Sequence, residues 1–336
     1  MKKEIFKQSF YYLLIPVSVF LVIASLLSLI YNLSFWYSKI LDFPRLQYLT
    51  MALFCLIIFV SLNKKWSFGP ILIVFGLLST VAIQSAFLIP YFYGEKSVLD
   101  ADPNGEVEIN SVGILIANVL ITNRRAADFL QLVKQTDPDM ILVMEVDEWW
   151  VNELSKLKKS YAHSIEYPLN NAYGMALYSK LPLENDQIKF LNQDKVPSFH
   201  TKVALTSGKV FIFHGVHPVA PMPSDEYPDN VGEEEVALLK VGKMVARDSL
   251  PSIVAGDFND VSWSRTSRLF EGNGDLNNVR LGRGLFNSFN AKSLVLRWPL
   301  DHYFVSKEFS LLELKRLRGF NSDHFPMFCK LVLQDP

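Results

Sequence analysis

The chain has 336 residues, 50% of them hydrophobic, with 33 Lys/Arg against 34 Asp/Glu and a formal net charge of −1. That length accommodates two domains of common size, and the near-neutral balance excludes a protein that coats nucleic acid by charge alone. With two cysteines, Cys55 and Cys329, it also excludes a disulfide scaffold and a CxxC metal site; both read as buried small apolar residues.

From the N-terminus, residues 10–32, 46–62 and 69–92 are apolar enough, and long enough as helices, to cross about 30 Å of hydrocarbon. Three transmembrane helices are therefore expected within a membrane region at 1–94. A cleaved signal peptide explains only the first run. Lys2, Lys3, Lys7, Lys64 and Lys65 lie on one side of these spans, and Lys39, Arg45 and Lys96 on the other. By the positive-inside rule this bias places the N-terminus in the cytoplasm and everything after the third span outside it. The expected location is thus the cell (inner) membrane, multi-pass, with the bilayer as a partner.

Residues 95–110, polar and acidic around Pro103-Asn104-Gly105, read as an exposed linker. Residues 1–94 hold seven Lys/Arg and two Asp/Glu, which leaves 26 basic and 32 acidic residues beyond them, a net charge of about −6 with no basic footprint.

Residues 111–336 alternate short apolar runs with helical periodicity. Strands are expected at 112–120, 140–146, 174–179, 202–205, 209–214, 252–255, 301–306 and 326–333, and helices at 124–135, 148–158 and 232–248. The pattern implies an α/β domain with one large mixed sheet or more than one sheet. Trp149-Trp150 read as packing at a helix start, and His214 and His302 as packing or surface histidines.

Polar residues stand at the ends of these apolar strands, where they are costly unless used or paired. Asn118 interrupts ILIANVL, Glu145 follows ILVM, and His217 follows FIFHGV. Asp257 and Asn259 of Gly256-Asp257-Phe258-Asn259-Asp260 follow SIVA, Asp301 precedes HYFVS, and Asp323-His324 precede PMFCKLVL. Alternation puts residues 257 and 259 on one face of the chain. A carboxylate binds a hard divalent cation or orients water, and a carboxamide donates to a phosphate oxygen, so this pair suits phosphate-ester chemistry. An Asx turn accounts for the same dipeptide spacing without any function.

The set and order of these motifs (IANVL, MEVD, GMALYS, GVHP, GDFND, PLDHYFVS and SDHFP) resemble the endonuclease/exonuclease/phosphatase superfamily of metal-dependent phosphoesterases over residues 111–336, in its bacterial membrane-anchored form. The resemblance implies a four-layer α/β/β/α sandwich of the DNase I-like kind, with the site at the strand ends. It implies Glu145 and Asp323 as ligands of Mg²⁺ or Mn²⁺, and His324, oriented by Asp301, acting with Asp257 on the attacking water. Which of Asp257 and His324 is the base stays open at this point. It further implies Asn118, Asn259 and His217 as donors to the phosphate oxygens, His217 doubling as a catalytic group. The implied substrate is a phosphodiester, either nucleic acid or a lipid head group; the alternative is a catalytically silent binding module of the same fold.

Overall fold

The computed structural model describes residues 2–30, 36–102, 107–223 and 236–334. The chain forms two compact units, residues 1–94 and 95–336.

In the first unit, α1 (Lys2–Leu27), α3 (Arg45–Leu62) and α4 (Phe68–Tyr93) contain the three stretches long and apolar enough to cross a membrane, Ser9–Leu27, Arg45–Leu62 and Phe68–Tyr93. The first stops at Leu27, before the expected end at 32; positions 31 and 32 lie outside the described residues. A short helix that periodicity did not announce, α2 (Trp36–Ile40), precedes α3.

Leu14, Leu21, Ala52, Cys55, Phe59 and Leu77 meet where the three helices pack, while many apolar side chains on their outer faces remain exposed. That exposure is what lipid-facing helices show. Arg45 is nonetheless fully buried: it pairs with Asp42, donates to Gln84 Oε1 (3.0 Å) and lies 3.5 Å from the centroid of the Phe87 ring. Gln84 in turn donates to Ser25 Oγ (2.9 Å), so one polar chain ties α1, α3 and α4 together. A buried guanidinium costs several kcal/mol unless partners of this kind surround it.

The second unit contains two six-stranded sheets. The first runs β11 (Phe309–Arg316), β12 (Met327–Leu333), β1 (Ser111–Asn118), β2 (Met140–Met144), β4 (Met175–Ser179), β3 (His163–Tyr167). The second runs β5 (Leu183–Phe190), β6 (Pro197–Ala204), β7 (Val210–Val216), β8 (Ser252–Asp257), β10 (Asp301–Val305), β9 (Asn277–Asn278). Strands buried on both faces read as continuous apolar runs, which is why β1, β2 and β8 stand out in the sequence.

The inner faces meet in one core, with Ile114, Ile116, Leu142 and Met144 from one sheet against Phe199, Phe211, Phe213, Ile253 and Ala255 from the other. Tyr303 Oη crosses the gap to Met327 O (2.7 Å). On the outer face of the first sheet, α6 (Ala126–Thr136) and α7 (Glu148–Leu154) contribute Phe129, Leu132, Trp150 and Leu154. Trp150 is buried at the start of α7, where the Asp147 side chain caps its N–H (2.9 Å), and Trp149 packs beneath the Arg124 guanidinium. On the outer face of the second sheet, α8 (Ala237–Val245) and α9 (Arg265–Gly274) bring Leu238, Val241 and Phe270 onto Val254 and Phe304. The result is the four-layer α/β/β/α sandwich.

Residues 95–102 depart from the expected exposed linker. Val98 is buried in the inter-sheet core, Asp100 bridges to Leu311 on β11, and Ser97 Oγ donates to Asn278 O (2.9 Å). An edge strand offers unpaired N–H and C=O groups, and this segment covers them. A one-turn helix, α5 (Val107–Asn110), then leads directly into β1, while Pro103-Asn104-Gly105 lie outside the described residues. So do positions 224–235, which include the start of the helix expected at 232–248.

Candidate active site

Strand direction and register gather the predicted residues at one end of the two sheets. β1 and β2 are parallel, so Asn118 and Glu145 leave the sheet side by side. β12 runs antiparallel to β1 with Met327 opposite Ile116, which brings Asp323 and His324 to that same end. In the other sheet β7 and β8 are parallel with Val216 beside Gly256, placing His217 next to Asp257, and β10 is antiparallel with Asp301 directly opposite Asp257. Gly256 is required at this crossing: its φ is +148°, and an added Cβ would lie 1.9 Å from Val216 O. Glu145 (φ +61°) and Asn259 (φ +51°) are held in the left-handed region that a non-glycine residue adopts at a cost.

Asp257 is the hub. It is fully buried; its Oδ2 accepts from Asn118 Nδ2 (3.1 Å) and lies 3.5 Å from His324 Nε2 and 3.8 Å from His217 Nε2. The Asn259 backbone N–H donates to Asp257 Oδ1 (2.9 Å). Asp301 Oδ2 is 2.7 Å from His324 Nδ1, so that nitrogen carries the proton and Nε2 faces Asp257. Burial alone would lower the His324 pKa, but the Asp301 and Asp257 carboxylates, the Asp301 hydrogen bond and nearby Asp323 carry it up to about 10. His217 goes the other way, down to about 4, because burial outweighs the attraction of Asp257. Burial raises both Glu145 and Asp257 above the ordinary carboxylate range.

The two asparagines are engaged differently from the sequence expectation. Asn118 donates both amide hydrogens to carboxylates, one to Glu145 Oε1 (2.8 Å) and one to Asp257 Oδ2, and its Oδ1 accepts from Leu120 N (3.0 Å). It orients the two acids instead of presenting a free donor. Asn259 donates from Nδ2 to Pro218 O (3.0 Å) and keeps a second amide hydrogen.

The donor chemistry fits a hard divalent cation. Asp257 and Asp301 bring ligand oxygens within 4.8 Å of each other beside His324, and Asp301 Oδ1 is buried without a hydrogen-bond partner. Glu145 Oε2 accepts from Ile121 N (3.1 Å), and half-buried Asp323 lies close enough to raise the Glu145 pKa. Buried carboxylates crowded together, with no Lys or Arg ion pair to them among the described residues, are the environment that a multivalent cation offsets. The cluster at Asp257 and Asp301 thus joins the expected Glu145 and Asp323 as oxygen donors.

Several supporting residues gave no sequence signal. Ser322 Oγ donates to Asn118 O (2.8 Å) and accepts from His324 N (3.1 Å), linking two ends of the site. Ser288 Oγ accepts from Leu300 N (3.2 Å) and Asp301 N (3.1 Å). Rings pack on both histidines: Phe289 on His324 (centroids 4.9 Å apart) and Tyr173 on His217 (5.2 Å). Arg280, fully buried, donates to Asp301 O and contacts His302 Nδ1, while His302 Nε2 lies 2.8 Å from Asp260 O. His302 and His214 are packing residues, as their positions within strands suggested. His214 sits 2.7 Å from His200 through the two Nδ1 atoms and 3.1 Å from Asp248 through Nε2. Burial drives His200 down to about 2, so it is neutral.

The comparisons with known proteins agree with this architecture. Residues 114–324 match the Endonuclease/Exonuclease/phosphatase family. A search of the curated proteins by sequence finds no match. Among solved structures, the human Nocturnin catalytic domain with bound sulfate anion is 17% identical, with a TM-score of 0.53 over 67% of this chain and 95% of that one. An endonuclease/exonuclease/phosphatase from Bacteroides vulgatus is 18% identical, with a TM-score of 0.53 over 67% of this chain and 99% of the other. Humanized D. rerio TDP2 is 16% identical, with a TM-score of 0.52 over 66% and 99%. These likenesses are to the fold.

Proposed function

This chain belongs to the Endonuclease/Exonuclease/phosphatase family, and from that premise we propose that it is a membrane-anchored, divalent-metal-dependent phosphodiesterase that uses the cluster centred on Asp257. The observation that carries the reading is the buried Asp301–His324 pair aimed at Asp257, with Glu145 held beside Asp257 by the shared Asn118 amide. When bound, Mg²⁺ or Mn²⁺ supplies positive charge that polarises the phosphoryl group and offsets the charge of the transition state.

The chain's own residues divide the remaining work. Asp301 fixes the His324 tautomer and keeps the ring protonated at neutral pH, so His324 presents an N–H to the phosphoryl oxygens or the leaving group. Asp257, raised by burial and clamped by the Asn259 N–H, orients an in-line water and takes its proton. The choice between Asp257 and His324 as base therefore falls on Asp257. His217, neutral and with a buried Nδ1 that lacks a partner, and the second amide hydrogen of Asn259 meet the non-bridging oxygens. Asn118 holds Glu145 and Asp257 in place.

The substrate class is a phosphodiester of nucleic acid or of a lipid head group. Support for the first is indirect: D. rerio TDP2, a fold neighbour 15% identical with a TM-score of 0.50 over 66% of this chain and 98% of that one, has been solved with a single strand DNA product. Three apolar helices support anchoring in the cell membrane, and the five-to-three Lys/Arg bias toward the side that holds the N-terminus supports an extracytoplasmic catalytic unit. The direct test compares full-length protein with a His324→Ala variant on bis-p-nitrophenyl phosphate in Mg²⁺. A rate about a thousandfold or more lower in the variant is expected; equal rates in the two would leave only a silent binding module.

A further inference from the structure

The loop between Phe289 and Trp298 holds aliphatic side chains out in solvent by an ordered set of bonds. Lys292 N donates to Asn290 Oδ1 (2.9 Å), Ser293 N to Asn290 O (3.1 Å), and Leu296 N to Ser293 Oγ (2.9 Å). The turn these bonds close leaves Leu294 89%, Val295 70% and Leu296 52% exposed. A lone exposed leucine is ordinary; three consecutive large aliphatics fixed at a loop tip form a patch with a use.

The base of that loop is part of the catalytic edge. Ala291 N donates to Asp323 O (2.7 Å), Phe325 N to Ser288 O (2.8 Å), and the Phe289 ring packs on His324. Lys292 and Arg297 flank the tip in sequence, and Arg316 stands at the base of the loop, where it donates to Asn287 O (2.8 Å). Lys292 is exposed, and the guanidinium carbons of Arg297 and Arg316 lie 5.0 and 4.6 Å from the centroid of the Phe325 ring. An apolar point flanked by Lys and Arg complements an anionic bilayer, which takes aliphatic groups below its headgroups and cations among its phosphates. The same chain carries three helices apolar enough to span a bilayer.

We propose that the tip Leu294-Val295-Leu296 inserts at the headgroup–acyl boundary of an anionic phospholipid bilayer and holds the catalytic edge at the lipid surface. The insertion is independent of which phosphoester is cleaved.

The test uses the full chain in vesicles of phosphatidylcholine with and without phosphatidylglycerol. Both native cysteines are buried, so Val295→Cys accepts an environment-sensitive fluorophore selectively. Lys307→Cys, exposed at the far end of β10 from Asp301, is the reference position. Doxyl-labelled lipids are expected to quench the tip label about threefold or more above the reference, and more so with phosphatidylglycerol present. A Leu294→Cys label repeats the measurement, so a local disturbance at 295 does not decide it. Quenching at both tip positions no greater than at Lys307, or self-quenching that follows protein density instead of lipid, would overturn the proposal, the latter in favour of contact between copies.

Discussion

At the scale of single residues, the site works because each acid is held by a neighbour that fixes its direction. Ser322 shows how far this extends beyond the groups that face substrate. Its hydroxyl is buried between Asn118 O and His324 N, so Ser322→Ala leaves a buried carbonyl and a buried N–H short of a partner, at about 1–3 kcal/mol. We expect kcat to fall about tenfold while KM stays near its wild-type value, because His324 loses its position and not its chemistry. Steady-state kinetics on bis-p-nitrophenyl phosphate check this split; a change confined to KM would place Ser322 at substrate binding instead. The residues that face the site were legible in the sequence, since an Asn, Asp or Glu that ends an apolar strand needs an explanation. Ser322 and Ser288 were not legible, because a serine in a loop has many ordinary uses. The engagement of the Asn118 amide by two carboxylates was equally hidden: it depends on the register between two sheets, which no local pattern contains.

At the scale of elements, the strand β8 and the helix α9 make opposite demands on their residues. Gly256 lets β8 pass against the Val216 carbonyl, and Gly256→Ala forces that contact open at a φ of +148°. A loss of about 3 kcal/mol or more is expected in chemical denaturation, together with loss of activity as Asp257 shifts. On α9, Glu271 is mostly buried, and burial raises its carboxyl to about 7. A raised acid binds its proton more tightly in the folded state, so stability falls as pH rises from about 4.5 to about 7. Glu271→Gln removes that penalty. Its unfolding free energy, measured by chemical denaturation, should exceed the wild type's at pH 8 by about 1–2 kcal/mol, discounted for partial exposure, and converge with it near pH 4. A variant less stable than wild type at pH 8 would contradict this.

Element legibility followed burial. The strands buried on both faces, β1, β2, β8 and β10, carry apolar runs, whereas β5 at one sheet edge is largely polar and β11 at another is half polar, and neither is anticipated from the sequence. The segment at 95–102 read as a linker because its few apolar residues, Val98 among them, are too sparse to show a period.

At the scale of the whole molecule, two units of different solvent preference share one chain. Residues 1–94 present apolar side chains outward and bury a polar chain from Ser25 to Arg45, while residues 95–336 bury large apolar clusters between and outside the two sheets and gather acids at one edge. Composition alone divided these units, since charge is excluded from three long runs and returns near Glu95. We propose that the acidic edge hydrolyses a phosphodiester with a divalent metal, and that Asp257 is indispensable to this reaction. It is tested most directly by titrating chelator-treated full-length protein with Mg²⁺ and with Mn²⁺ while following phosphodiester hydrolysis, alongside an Asp257→Asn variant. No turnover is expected after chelation, with recovery on added metal and none in the variant; turnover that survives chelation, or that Asp257→Asn retains, would overturn this mechanism.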